Sequence, residues 1–117
     1  MRKNTIDYSV LDKGIREAVE ILNRHGFETF ESCEGGKGHC YSEPTIRFFG
    51  NEFDLIRAFE LCKLYKMNIY EAKRVYRKTD VYSEGDKGEP IGLSWDKPFN
   101  EMVFIKNKNT GTIFLPN

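Results

Sequence analysis

The spacing of apolar residues predicts a first helix over residues 11–26. Its buried stripe would consist of apolar side chains at helical spacing, namely Leu11, Ile15, Ala18, Val19 and Leu22. Ser9 or Asp12 can cap its start, because a short polar side chain accepts a hydrogen bond from an amide of the first turn. Gly26 stands where a left-handed residue commonly ends a helix. The segment therefore carries both a start and a stop signal.

A second helix is predicted over residues 52–66, directly after a Gly-Asn break. Its buried stripe would contain Leu55, Ile56, Phe59 and Cys62. Arg57 lies off that stripe, with Asp54 and Glu60 one turn away on either side. The simplest interpretation of Arg57 is therefore an exposed ion pair.

Alternating apolar residues and β-branched or aromatic side chains predict six strands around these helices. They are residues 27–33, 45–49, 67–78, 91–95, 101–106 and 112–115. The third contains EAKR, which favours a helix, but its tyrosines alternate, and we interpret it as a strand. SEGDKGEP, residues 83–90, predicts an exposed turn, and NKNTG between the last two strands predicts a hairpin.

The resulting order, α-β-β-α-β-β-β-β, predicts an α+β fold in which two helices pack on a mainly antiparallel β-sheet. A chain of 117 residues can bury one modest core but not two, so residues 1–117 are expected to form a single domain. A domain of this size leaves sheet edges and aromatic surface to cover. Oligomerisation is therefore expected.

Composition narrows the classes of partner. The 18 basic and 18 acidic residues cancel, so no global field attracts a long nucleic acid or an anionic membrane. No apolar run approaches the roughly 20 residues of a membrane-spanning helix, and the N-terminus lacks the apolar segment of a secretory signal. Three cysteines cannot all pair, which favours a reducing cytoplasm. Aromatic residues are abundant, so some are expected to line an interface or a pocket.

The segment ETFESCEGGKGHCYSEP, residues 28–44, contains several reactive residue types. Cys33, His39 and Cys40 could bind a metal, but adjacent histidine and cysteine are poorly spaced as ligands of one ion, and structural zinc needs four ligands. Cys33 could also be a nucleophile with His39 as its base and an acidic neighbour orienting the imidazole. A free cysteine is more often a small core residue. We therefore expect no metal and a structural Cys33.

The EGGKG turn could instead bind an anion. Its glycines leave backbone N–H groups unhindered, so Gly36 would supply an amide and Lys37 an ammonium group. It is not a P-loop, because no GK[ST] is present and Pro44 leads into a strand where a P-loop requires a helix. A glycine-rich connection that only turns the chain is an equal alternative.

Basic and aromatic residues from neighbouring elements form another candidate site. The set consists of Arg47, Arg57, Lys73, Arg74 and Arg77 with Tyr70, Tyr76, Tyr82, Trp95 and Phe99. Guanidinium groups bind phosphates through paired hydrogen bonds, and aromatic rings stack on bases. If Arg47 and Arg57 converge, they would suit a small phosphorylated nucleotide better than a long strand. Solvated arginines and core aromatic residues are the alternative.

Three stretches together resemble a group of small phage and prophage proteins. They are LDKGIREAVEILNRHGFETFESCEGGKGH, EPTIRFFGNEFDLIRAF and GEPIGLSWDKPF. The shared features are the first helix, a G-F-E-T strand, an S-C-x-G-G turn, an E-P-T-x-R-F strand and a late tryptophan. Within this group the chain looks similar to the phage anti-Thoeris sponges, which sequester cyclic ADP-ribose-type immune signals without catalysis. Some of those sponges also bind cyclic oligonucleotides. The resemblance covers about residues 10–60 and 88–99.

The resemblance implies a non-catalytic anti-defence protein that binds a small cyclic nucleotide in the host cytoplasm. It also implies a homo-oligomer, either a dimer or a larger assembly such as a hexamer, with pockets between subunits. Arg57 then looks like a phosphate-clamping arginine. The region from Tyr76 to Trp95, which includes Tyr82 and Ser94, looks like a pocket wall. No cofactor, membrane or long nucleic acid is expected.

Two other functions stay open. A small enzyme using Cys33 and His39 would act on a nucleotide or an acyl substrate, whereas an interaction module would bind a host protein. Intact ligand recovered from denatured protein would indicate a sponge, and a converted product would indicate an enzyme.

Overall fold

The computed structural model describes residues 15–38, 40–81 and 92–115, and for 79–81 and 92–95 it describes the backbone. Its elements are α1 (Arg16–Arg24), β1 (Glu28–Cys33), β2 (Thr45–Phe49), α2 (Glu52–Leu64), β3 (Ile69–Val75), β4 (Lys78–Val81), β5 (Gly92–Trp95) and β6 (Phe99–Phe104). Within these ranges, no helix has the length and apolarity needed to cross a bilayer.

Four strands form one antiparallel sheet in the order β1-β2-β6-β3. The other two, β4 and β5, pair with each other as a separate antiparallel ribbon. The ribbon connects β3 to β6, so the chain leaves the sheet after β3 and returns between β2 and β3. Side chains alternate between the two faces of each strand, which gives the sheet one face toward the helices and one that no helix of the described residues covers.

The core lies between the helices and one face of the sheet. Its members include Val19 and Leu22 of α1, Ile46 and Phe48 of β2, Cys62 of α2, and Met102 and Phe104 of β6. Burial raises the pKa of the Cys62 thiol to about 12, so this group is a neutral core side chain. The opposite face of the sheet, which we call the helix-free face, carries the alternate residues of the same strands.

A buried polar cluster fixes the start of α2 on the sheet. Asn100 of β6 is fully buried, and its Nδ2 donates a hydrogen bond to the carbonyl oxygen of Asn51 at 3.2 Å. Nη1 of Arg74 on β3 donates to Oδ1 of Asn100 at 2.9 Å and also to the carbonyl oxygen of Gly50. Asn51 caps the helix in turn, because its Oδ1 accepts the amide of Asp54 at 3.0 Å.

The predicted fold class is confirmed: the protein is α+β, with two helices and a four-stranded antiparallel sheet. Two strand assignments differ from the prediction. The predicted strand over residues 67–78 is shorter, at Ile69–Val75, and Lys78–Val81 form a separate strand that the sequence does not predict. Residues 112–115 form only an isolated bridge, Met67 with Phe114. The NKNTG turn is present, since the Gly111 amide donates to the carbonyl oxygen of Asn107 at 2.8 Å, but the segment after it pairs with residues 66–68.

The predicted buried stripe of α2 is partly wrong. Ala58 and Cys62 are buried, whereas Ile56 and Phe59 remain 53% and 38% exposed. The helix has apolar residues on both faces, so periodicity alone could not identify the face that packs. The turn at 83–90 and the proposed N-terminal caps of the first helix, Ser9 and Asp12, lie outside the described residues. Gly26 has a φ of +90°, which confirms the predicted left-handed residue after the helix.

The turn after β1 requires glycine. Gly35 has a φ of +76°, and a Cβ there would lie 2.4 Å from the carbonyl carbon of Glu43. The Gly36 amide donates to the carbonyl oxygens of Tyr41 at 3.2 Å and Ser42 at 3.0 Å. The two ends of the turn are thus in direct backbone contact.

Gly35→Ala should destabilise the protein by at least about 2 kcal/mol, because it adds a backbone clash to left-handed strain. Gly38→Ala is the matched control, since Gly38 has a φ of +85° and no atom lies within 4 Å of a Cβ built there. Its free energy of unfolding should fall by only about 1 kcal/mol. Urea unfolding of both variants measures the difference. Equal losses would contradict the close contact at Gly35.

Candidate functional site

A cleft of about 480 Å³ opens at one end of the sheet, where α1 ends and α2 begins. Its wall includes the backbone at Gly26 and Gly50, the ring of Phe49 and the segment Lys97-Pro98. The volume falls within the roughly 300–1,000 Å³ of most small-ligand sites. The bends that follow α1 and β2 at the two glycines shape this cleft.

The chemistry of the cleft is mixed. Arg74 and Lys97 contribute cations, and Glu28 and Asp54 contribute carboxylates. The ammonium nitrogen of Lys97 lies 4.6 Å from the centre of the Phe49 ring. A ligand that carries phosphates, hydroxyl groups and a flat ring could use all three kinds of group.

Two amides at the start of α2 already have partners within the helix. Asp54 and Asn51 form a capping box, in which Oδ2 of Asp54 accepts the Asn51 amide at 2.9 Å and Oδ1 of Asn51 accepts the Asp54 amide at 3.0 Å. Asp54 also pairs with Nη1 of Arg57 at 2.8 Å. The cationic side chains that line the cleft are those of Arg74 and Lys97.

Arg47 occupies the middle of the helix-free face. Its guanidinium lies between Glu31 at 3.2 Å and Glu101 at 3.5 Å, and 5.1 Å from the ring centres of both Tyr41 and Phe99. Two carboxylates thus neutralise a half-buried arginine. The arrangement is suited to holding β1, β2 and β6 together.

Three phenylalanines continue this cluster toward the cleft. Phe30 stacks on Phe49 with ring centres 4.3 Å apart and meets Phe99 edge-on at 5.2 Å. Arg77 lies over Phe99 at 4.9 Å and approaches Asp96 at 3.8 Å. Cations over ring faces are favourable contacts, so the aromatic cluster is both packed and flanked by positive charge.

The structure brings two predicted site residues together and separates a third. Arg47 and Phe99 are in contact on the helix-free face. Arg57 lies on α2, on the other side of the sheet, where it contacts Asp54 and the ring of Phe27 at 5.0 Å. Arg47 and Arg57 therefore do not converge within one chain.

The predicted pocket wall is described only in part. Tyr76 is exposed, and the guanidinium of Arg74 lies 5.7 Å from its ring centre. Ser94 and Trp95 belong to β5, where they pair with Thr79 and Lys78. Their side chains, and all of Tyr82, lie outside the described part of the structure.

The remaining predicted residues lie in the turn after β1. The Gly36 amide is already bonded to two carbonyl oxygens, and Lys37 is exposed in the same turn. Cys33 is buried, and its Sγ accepts the Gly35 amide at 3.5 Å. His39 is not described. Among the residues that are, no three His, Cys, Asp or Glu side chains group as metal ligands.

Sequence reasoning missed Lys97 and included Arg74 only as one member of the basic and aromatic set. Arg74 falls on the helix-facing side of β3, where a charged residue needs buried partners, and that position is the signal that could have singled it out. Lys97 stands in the short segment before β6 with no periodic signal at all. The site forms because the folded chain brings Phe49 and Gly50 next to this segment.

The chain matches no known protein family, no curated protein and no solved structure.

Tyr41 should ionise late in an alkaline titration. Burial, together with the hydrogen bond that its hydroxyl donates to Glu31, raises its pKa to about 12. The folded state then keeps a proton that the unfolded chain has lost, so stability contributed by Tyr41 is lost as pH rises from about 10 toward 12. Near-ultraviolet absorbance of phenolate measures this, with circular dichroism to follow the fold.

Tyr41→Phe should remove the late step, and Tyr76→Phe, which deletes an exposed phenol, should leave it in place. A late step that survives in Tyr41→Phe would show that Tyr41 is not the phenol that ionises late.

Proposed function

We propose that the protein binds and sequesters a small phosphorylated nucleotide in the cleft at the end of the sheet. The observation that carries the proposal is the grouping of Arg74 and Lys97 with the Phe49 ring in one cleft of about 480 Å³. Cations bind phosphates, and an aromatic ring stacks on a base. The carboxylates of Glu28 and Asp54 are suited to accept hydrogen bonds from ribose hydroxyl groups.

Charge balance favours a compact nucleotide over a nucleic acid strand. The chain has no net charge, and the cleft itself contains two cations and two carboxylates. A polyanion would meet the carboxylates as well as the cations, whereas a molecule with two phosphates and several hydroxyl groups matches both.

The finer proposal follows the resemblance to phage anti-Thoeris sponges. On that basis the ligand is a cyclic ADP-ribose isomer or a cyclic oligonucleotide, and the protein is a non-catalytic anti-defence protein of the host cytoplasm. A homo-oligomer would complete the pocket, with Arg57 and the Tyr76–Trp95 region as its contributions. A pocket between subunits is compatible with the open form of the cleft in a single chain.

The cysteine-dependent enzyme is less well supported. A nucleophile must reach its substrate, and Cys33 is 6% exposed. One observation favours an interaction module that binds a host protein, namely the exposed apolar side chains of α2.

Lys97→Glu should weaken the binding of cyclic ADP-ribose by at least about tenfold, because a charge-assisted contact is lost and repulsion replaces it. Lys108→Glu makes the same change at an exposed lysine in the 107–111 turn, away from the cleft, and should bind as tightly as the unchanged protein. Isothermal titration calorimetry measures both. Mass spectrometry of the ligand after denaturation should recover it intact.

Arg57→Ala separates this cleft from the arginine that the resemblance favours. If binding survives Lys97→Glu but fails with Arg57→Ala, the ligand site is beside α2 and the cleft is excluded. If no cyclic ADP-ribose isomer or cyclic oligonucleotide binds the unchanged protein, the proposed function is wrong.

A further inference from the structure

The outer face of α2, which is the side opposite the core, exposes three large apolar side chains among charged ones. Phe53, Ile56 and Leu64 expose 66%, 53% and 77% of their surface. Arg57 and Glu60 lie between them on the same side of the helix, and Glu52 and Lys63 are exposed nearer its two ends. Surface helices usually turn polar residues to solvent. Here the helix is apolar on two sides, and the described residues cover one of them.

We propose that this outer face pairs with the same face of a second copy, so that the two α2 helices lie antiparallel about a two-fold axis. A two-fold interface is isologous, which means that each residue of the patch meets a different residue of the same patch on its partner. With the axis midway between Ala58 and Phe59, residues equally far from that midpoint along the helix face each other.

The sequence of α2 is self-complementary about this midpoint. Phe53 and Leu64 are equally far from it, so each Phe53 meets the partner subunit's Leu64. Arg57 and Glu60 are also equally far from it, so each Arg57 meets the partner subunit's Glu60. One helix thereby supplies two apolar contacts and two ion pairs. A parallel arrangement would set like charges against each other, which is unfavourable.

A groove beside the outer face fits this arrangement. It has a volume of about 410 Å³ and lies between α2 and the end of α1. Its lining is half apolar and half polar, namely Phe27, Leu61 and Leu64 with His25, Arg57 and Glu60. The antiparallel pairing sets Phe53 of the partner subunit over the Leu64 end of this groove. Aromatic side chains that pack against apolar walls such as Leu64 supply much of the binding energy of an interface.

The balanced charge of the outer face fits a second copy of this chain better than a partner that is uniformly acidic or uniformly basic. The exposed charges of α2 balance, with two cations, Arg57 and Lys63, and two anions, Glu52 and Glu60. The two-fold axis matches the central pair, Arg57 and Glu60. Arg57 is held in place before association by Asp54 at 2.8 Å and by the ring of Phe27 at 5.0 Å. A side chain that is already ordered loses less entropy on binding.

Charge reversal tests the pairing directly. Arg57→Glu and Glu60→Arg each place like charges opposite each other at both ion pairs, so the Kd of each variant dimer should rise by at least about tenfold. Mixed in equal amounts, the two variants place opposite charges at both contacts. The mixture should therefore dimerise with a Kd close to that of the unchanged protein. Analytical ultracentrifugation over a concentration series measures all three.

Phe53→Asp tests the apolar contact, and it should also dissociate the dimer. Ile105→Asp is its control, because Ile105 is a similarly exposed apolar residue, at 48%, on another surface, and this variant should dimerise normally. Circular dichroism establishes that each variant is folded.

Three results would overturn the inference: an unchanged protein that is monomeric at every concentration, charge variants that dimerise as well as the unchanged protein, or a mixture that fails to recover. None of these measurements requires a nucleotide, so the interface and the proposed function can fail separately.

Discussion

The hydrogen bonds of Asn100 to Asn51 and Arg74 fix the position of α2, and both the cleft and the exposed helix face depend on that position. Asn100 is fully buried, and leaving a buried amide without a hydrogen-bond partner lowers the free energy of unfolding by about 1–3 kcal/mol. The start of α2 therefore has one favourable position on the sheet, the one in which Asn51 and Gly50 offer their carbonyl oxygens to β6 and β3. The same contact places Arg74 at the wall of the cleft.

Local charge balance separates the cations that build the fold from those suited to a ligand. Arg47 lies between Glu31 and Glu101 on the helix-free face, and taking its guanidinium away from them would leave buried carboxylate charge unmatched. Lys97 is exposed and lies over the Phe49 ring, so an incoming phosphate would displace little. Although Arg47 stands out in the sequence, the structure favours Lys97 for contact with an anion.

Local patterns predicted the helices and the strands at 27–33 and 45–49 because each of these elements buries one face at a regular period. They could not predict the buried side of α2, where Ile56 and Phe59 are as apolar as Cys62, and only the tertiary contacts of Ala58 decide it. The prediction of a strand at 112–115 was wrong for a similar reason. The hairpin turn is present, but Phe114 after it forms a β-bridge with Met67. The cleft was not predictable, because Gly50 and Lys97 meet only after the sheet has formed.

Asp54 connects the two proposals through a single carboxylate. It lines the cleft, caps α2 and holds Arg57, which belongs to the outer face. A nucleotide hydroxyl that bonded to Asp54 would compete with Arg57 and free a guanidinium that Asp54 otherwise holds in place for the partner subunit's Glu60. Coupling of this kind is reciprocal, so dimerisation would disfavour nucleotide binding to the same extent. Because exposed ion pairs contribute at most about 1 kcal/mol, each such contact could change affinity by only about fivefold.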